Sequence, residues 1–374
     1  MAERTTHERI PYVDLARQNE PLRGELMDAV ARVLDHGQFI LGPEVTELER
    51  RLGSRLGVEH AIGVANGTDA LVLALRACGI GSGDEVLTVS HSFVATALAV
   101  RLVGATPVFV DVEERSMLLD PALLEASLSA RTRAVMPVHL NGLACDMGPI
   151  VAFCEGHGLQ LIEDCAQALG ATAGGRPVGS FGIGCFSLHP LKPLAACGDA
   201  GLVTTDDAEL AERLRRLRNL GLVDRDHCEI VGTNSRLDTL QAALLLVKEP
   251  HLDRWIASRR DHARHYREAL HGRLTLPAEE APGDVATYSA FAVRHPRRDR
   301  LQELMAERGV DVKAHYPLAI HQQGAFADLA GPALPVTERV VDSILSLPVS
   351  PELRVDGRTR VIEAMLECLE AVDR

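Results

Sequence analysis

Gly179-Ser-Phe-Gly-Ile-Gly-Cys-Phe-Ser-Leu-His-Pro-Leu-Lys192 is the stretch whose reading decides the fold. It reads as a buried strand, Gly184–Leu188, that carries Ser187, then a turn, then one lysine isolated among apolar residues. Upstream, the apolar run Leu159–Glu163 reads as a second strand, and Glu163-Asp-Cys-Ala-Gln167 stands at its end. Working outward, further short apolar runs lie at Ala61–Val64, Glu85–Val89, Thr106–Val110, Ala134–Val138 and Gly201–Thr204. Helical patterns fall between several of them, at Asp69–Cys78, Ser92–Val103, Pro121–Leu128 and Met147–His157. Strand, helix, strand at this spacing predicts βαβ units and a mostly parallel, doubly wound sheet, hence an α/β fold. The strands carry few charges, which fits burial on both faces.

The pattern changes after Asp238. A short apolar helix, Asp238–Val247, precedes a long charged helix from about Leu252 to Leu270. A smaller C-terminal α/β part follows, with a strand near Ser289–Val293 and helices near Asp299–Arg308, Thr337–Leu345 and Gly357–Ala371. The expected division is a large domain over residues 1–250 and a small one over 251–374.

Composition bounds the function. With 46% hydrophobic and 24% charged residues, the chain has the make-up of a globular protein. The net charge of −13 speaks against a nucleic-acid partner, which needs clustered Lys and Arg. The basic run Arg213–Arg218 includes Leu214 and Leu217 at helical spacing and reads as a solvated helix face. The eight cysteines form no Cys-x-x-Cys pair, so no metal is expected and a reducing compartment is the simplest reading. The polar start, Met1–Arg9, lacks an apolar leader core, and no run reaches the ~18 apolar residues of a spanning helix. A cytoplasmic protein without a membrane partner is expected.

Lys192 is the only lysine before Val247, and Pro190, Leu191, Pro193 and Leu194 flank it. A desolvated lysine has a lowered pKa and forms imines readily; a plain surface loop is the other reading. Asp164 ends its strand at the edge where open α/β sheets bind ligands, unless it only caps a helix. Ala65-Asn-Gly-Thr-Asp-Ala-Leu71 follows a strand and opens a helix, the place where phosphate docks on free N–H groups. Thr68 or Asp69 as a simple N-cap is the alternative there. An acid to keep a pyridine nitrogen protonated, a lysine to hold the cofactor and a phosphate cradle together point to pyridoxal 5'-phosphate (PLP). Ser187 is placed to hold a phosphate oxygen, and Gln167 to bond the ring's phenolic oxygen.

These residues resemble the DegT/StrS sugar aminotransferases, PLP enzymes of the aspartate-aminotransferase fold (fold type I). The matching stretches are Phe39–Val45, Ala65–Leu71, Ser92–Thr96, Pro137–Gly142, Glu163–Ala168, Phe186–Lys192, Gly198–Gly201 and Asn234–Asp238, in the family's order. The resemblance implies that Lys192 carries the cofactor and moves the proton during transamination. It implies that Asp164 pairs with the ring nitrogen, Gln167 with the ring oxygen, and that Phe93 stacks on the ring. Thr68, the Asp69 backbone and Ser187 would bind the phosphate. Asn234 would reach the phosphate of a neighbouring subunit, giving a homodimer with shared sites. His315-Tyr-Pro317 and His321 fall in the segment that lines the sugar pocket in similar proteins, although an ordinary loop fits them as well. Asn141, His189, Tyr316 and His321 are the candidate substrate residues. Asn141 stands where relatives acting on nucleotide-linked sugars usually carry an aromatic, and Cys197 and Ala200 also depart from the family pattern.

The expected activity is transfer of an amino group from glutamate or glutamine, through pyridoxamine 5'-phosphate, to a keto sugar, nucleotide-linked in the leading reading. A keto-cyclitol of aminocyclitol antibiotic biosynthesis is the alternative. A sugar dehydratase on the same fold would carry histidine in place of Lys192; His189 lies three residues before that position and does not fill the role. A non-catalytic regulator would show decay of the site residues, and none is missing.

Overall fold

The apolar runs assemble into one seven-stranded sheet in the computed structural model, which describes residues 9–329 and 331–373. The polar stretch 1–8 lies outside the described residues. Its strands are β1 (His60–Val64), β2 (Glu85–Val89), β3 (Thr106–Val110), β4 (Thr132–Met136) and β5 (Gln160–Asp164), then β8 (Ile183–Ser187) and β9 (Gly201–Thr205). The hairpin β6 (Thr172–Ala173) and β7 (Arg176–Pro177) stands apart, turned by Gly174 and Gly175 at φ 58° and 74°, values that favour glycine. The order across the sheet is β1-β9-β8-β5-β4-β2-β3. β9 runs antiparallel to both β8 and β1, and the other neighbours pair in parallel. Six strands therefore point their carboxyl ends at one edge.

Successive side chains of a strand face opposite ways, and the core follows that period. Val86, Ala134, Met136, Ile162, Cys185, Val203 and Ile62 bury one face under the helices Gly67–Ala77, Ala95–Leu102 and Ala208–Arg218. Leu87, Val135 and Leu161 lie on the other face, as do Phe186, Leu202 and Ala61, which pack with the helices Pro43–Leu56 and Thr239–Lys248. Both faces are covered, as the uncharged strands imply.

Beyond the helix Leu252–Leu270, β10 (Phe291–Arg294) pairs antiparallel with β11 (Ile344–Leu347). The expected helix Thr337–Leu345 is Pro335–Ser343, and β11 follows it without a break. A four-residue buried strand that continues a helix's apolar residues cannot be separated from it by periodicity. Helices Arg298–Glu307 and Val355–Asp373 complete this part, whose core joins Tyr266, Phe291, Leu301, Met305 and Met365. Ile10 belongs to the same core: its N–H donates to Gly309 O at 2.8 Å, and its carbonyl accepts from Asp311 N–H at 2.9 Å. The N-terminal strap is thereby stitched to the C-terminal part.

Candidate active site

The carboxyl ends of β1, β2, β4, β5 and β8 border a cavity of about 710 Å³, a size that suits a cofactor with part of a substrate. The segment after β1 contributes Thr68 and Asp69, and the segment after β2 contributes Phe93. Asp164 and Gln167 come from the end of β5, and Ser187, His189 and Lys192 from the end of β8.

The helix after β1 begins at Gly67, and its N-cap is Asn66 rather than Thr68 or Asp69. Asn66 Oδ1 accepts the Asp69 N–H at 2.8 Å. That bond engages one of the first helical N–H groups; those of Gly67 and Thr68, at the positive end of the dipole, have no intrahelical acceptor. The close fit of this turn requires glycine, because a Cβ on Gly67 would lie 2.6 Å from the Ser187 Cβ. Thr68 and Ser187 share this corner of the cavity.

Asp164 is the last residue of β5 and is 5% exposed. Its Oδ2 accepts from the Thr96 hydroxyl at 2.7 Å, and its Oδ1 from Ala166 N–H at 3.1 Å. No helix follows it, so its bond to Ala166 closes a turn and caps nothing. Burial pushes its carboxyl up, while Thr96, Ala166 and the Lys192 charge pull it back. Burial likewise pushes Lys192 below the ordinary amine range, against the opposing charge of Asp164. The surface-loop reading of Lys192 does not hold: its side chain turns into the cavity.

Gln167 has its amide oriented by the backbone. Oε1 accepts Asn141 N–H at 2.7 Å, so the NH2 group is the one turned toward the cavity, where it donates to the Tyr316 hydroxyl at 3.1 Å. Phe93 is 53% exposed at the mouth, its ring 5.6 Å from that of Tyr316. Tyr316 and His189 line the cavity. Asn141 and His321 do not, and neither does Asn234, whose expected place is the phosphate site of a neighbouring subunit. Asn141, at φ 59°, serves through its main chain while its side-chain oxygen is buried without a partner. His321 binds Ser90 Oγ through Nδ1 at 2.7 Å and faces Glu338 at 3.5 Å. Asn234 is exposed on a segment bridged to Asn219.

Of the other lining residues, Tyr12 gives no sequence signal, and His315 falls in the expected pocket-lining segment His315–Pro317. Tyr12 comes from the strap, its hydroxyl 3.5 Å from His315 Nδ1 across 303 positions of chain. His315 is held neutral, its pKa pushed down to about 4 by burial and by the Lys192 charge. Ser92 and Thr96 lie on the turn that presents Phe93, and that spacing was readable.

Glu163, one residue before Asp164, faces away from the cavity. With His139 and Cys165 it forms a cluster of metal-ligand types, atoms within 4.8 Å of one another. Its chemistry is that of a brace. Glu163 accepts from Gly179 N–H and Phe181 N–H at 2.8 Å, Gly182 N–H at 3.0 Å and His139 Nε2 at 3.2 Å, which occupies both oxygens. His139 Nδ1 accepts Cys145 N–H at 3.0 Å, so its proton sits on Nε2. Burial pushes the Cys165 thiol up to about 12.

The residues present fit PLP: an anion-seeking helix start beside a serine, a buried carboxylate, an oriented amide donor and a neutral-leaning amine border one cavity. Comparison with known proteins agrees. The model of the DegT/DnrJ/EryC1/StrS aminotransferase family matches residues 21–366. The chain is 46% identical over 359 residues to an Acidithiobacillus ferrooxidans UDP-N-acetyl-3-dehydro-alpha-D-glucosamine 3-aminotransferase, covering 96% of this chain and 97% of that one. It is 44% identical to a Streptomyces venezuelae dTDP-3-amino-3,4,6-trideoxy-alpha-D-glucose transaminase, over 100% of both. The crystal structure of S. venezuelae DesV superposes with a TM-score of 0.95 at 44% identity, covering 97% of this chain and 99% of that one.

Proposed function

The chain belongs to the DegT/DnrJ/EryC1/StrS aminotransferase family, whose members are PLP-dependent, and on that premise we propose that it aminates a nucleotide-linked keto sugar in amino-sugar biosynthesis. Glutamate or glutamine supplies the nitrogen. The ketone we assign to this enzyme is at C3 of the sugar, a reading supported by the similar proteins from both organisms, which are named for chemistry at that carbon. The observation that carries the reading is the placement of Lys192 and Asp164 in one cavity, with burial pushing the amine down.

PLP, when bound, acts as an electron sink that stabilises the carbanion formed at the amino-bearing carbon. The chain's own residues do the rest. Lys192 Nζ would hold the cofactor covalently when no substrate is present; when released it would be an amine whose burial favours the neutral form, able to take a proton from one carbon and return it to another. Asp164 would stay charged against the ring nitrogen. The Gln167 NH2 group would bond the ring oxygen, and Phe93 would cover one ring face. Thr68, Ser187 and the helix start would bind the phosphate. Tyr316, fixed by Gln167, offers a neutral hydroxyl to the sugar, since burial keeps its proton on. Residues 1–250 would carry the cofactor, and residues 251–374 would close on the sugar. Asn234, exposed and outside this cavity, would serve the cofactor phosphate of a second copy.

The test is spectroscopic. Protein loaded with PLP should be converted to the pyridoxamine form by glutamate or glutamine, and a nucleotide-linked 3-keto sugar should restore it; a keto-cyclitol that does so instead would redirect the substrate reading. Borohydride reduction should fix the cofactor to Lys192, not to Lys248 or Lys313, the other two lysines. Mixing Lys192→Ala with Asn234→Ala should restore activity, because one site of the hybrid is intact; no restoration would sink the shared site.

A further inference from the structure

The turn that presents Phe93 also carries two hydroxyls that no part of the reading above employs. Ser92 and Thr96 are 3% and 1% exposed, and their oxygens lie 2.8 Å apart. Thr96 Oγ1 lies 2.7 Å from Asp164 Oδ2. A charged carboxylate can only accept, so the one Thr96 proton points at Asp164. Thr96 can then only accept from Ser92, and the Ser92 proton points at Thr96. The chain of donors has one direction while Asp164 is charged. If Asp164 took up a proton on Oδ2, the Thr96 hydroxyl would have to turn its own proton away from the carboxyl and give up that bond. The helix Ala95–Leu102 fixes Thr96 in its first turn, with Thr96 N–H donating to Phe93 O at 3.2 Å.

We infer that Thr96 is a positioning residue of the transamination, backed by Ser92, which holds Asp164 in the orientation and the charged form that the ring nitrogen needs. The inference rests on the PLP reading. It couples two parts of the site: the turn that carries the aromatic Phe93 also sets the acid that would pair with the ring nitrogen. The groups facing Asp164 from other elements are Lys192 from the β8–β9 connection, His139 after β4, Tyr316 from the C-terminal part and the Cys165 and Cys185 thiols. Thr96 is the side chain that touches the carboxylate without itself titrating.

The experiment measures PLP affinity of the cofactor-free protein from pH 5 to 9 for wild type, Thr96→Val, Thr96→Ser and Ser92→Ala. Valine keeps the shape and removes the proton. Losing a hydrogen bond to a charged group is expected to move the acidic limb of the affinity profile up by about one pH unit, a tenfold change in the protonation equilibrium. In turnover, kcat should fall about tenfold with the KM for the keto sugar unchanged. Thr96→Ser should restore both. Ser92→Ala should move the limb in the same direction by less, which keeps the idea testable if the valine variant folds poorly. A limb unmoved in both Thr96→Val and Ser92→Ala overturns the inference, as does a loss that serine cannot rescue. Wild type that binds no PLP at any pH would instead sink the cofactor reading beneath it.

Discussion

Replacing Glu163 by glutamine changes one atom, and the structure says it should be among the most damaging substitutions in the protein. Both carboxylate oxygens are enclosed by donors: Oε1 by Phe181 N–H and Gly182 N–H, Oε2 by Gly179 N–H and His139 Nε2–H. An amide must put its NH2 group on one of those sides, so two donors then face a donor. His139 cannot relieve the conflict by moving its proton, because Nδ1 already accepts Cys145 N–H. Losing two bonds to a charged group costs about 3–6 kcal/mol at ~1.5–3 kcal/mol each, a large part of the ~5–15 kcal/mol that holds a typical domain together. Urea unfolding of the cofactor-free protein at fixed concentration reads this directly. Asp164→Asn is the matched control. Its neighbours are a hydroxyl that can turn and one N–H, so it should lose less than ~1 kcal/mol while turnover collapses. Glu163→Gln within ~1 kcal/mol of wild type, or Asp164→Asn equally destabilised, would refute the division of labour between the adjacent acids.

Gly67→Ala should lower stability by ~1–3 kcal/mol through overpacking against Ser187. It should also weaken PLP binding, seen by titrating the purified variant with cofactor; full affinity would remove the helix start from the phosphate site. The pH profile of stability should carry the mark of His91, whose pKa burial pushes down to about 4. A group whose folded pKa is depressed takes up a proton more readily when unfolded. Its contribution is therefore whole above about pH 6.5 and falls as pH drops toward 4, by ~2 kcal/mol between pH 6.5 and 5 at ~1.4 kcal/mol per unit. Asp164, pushed the other way, opposes this, so the measurement is the difference between wild type and His91→Asn; parallel profiles would show that His91 does not titrate as stated.

Much of the sheet was legible because each strand is a short apolar run at βα spacing. All seven expected runs are strands of one sheet, within a residue or two at the ends. The run at Gly201 carried no sign of its direction, since an antiparallel strand buried on both faces reads like a parallel one. At the site, Lys192 stood out by isolation. Glu163 and Asp164 were both visible, and neighbours on a strand must face opposite ways; which one meets the cavity depends on register, which the two letters do not record. Tyr12, and its meeting with His315, were illegible for another reason. They meet only because the strap closes onto the C-terminal part, and no local pattern encodes a contact spanning 303 positions. Asn141 was legible as unusual, but its contribution is a backbone N–H, which any residue able to take φ 59° supplies.

Lys192 lies in a hairpin connection between adjacent strands. Ser187 pairs with Gly201, Leu188 N–H donates to Ala200 O at 2.8 Å, and Ala196 N–H donates back to Leu188 O at 2.8 Å. A crossover helix would have set the lysine on a long lever; here its main chain is clamped on both sides, and only four methylenes are free to swing. The reach of the amine is thus a constant of the scaffold, and insertions between residues 188 and 200 would misplace it. A redesign for bulkier ketones has its room elsewhere, in the strap around Tyr12 and the segment around Tyr316, which border the cavity without anchoring the cofactor.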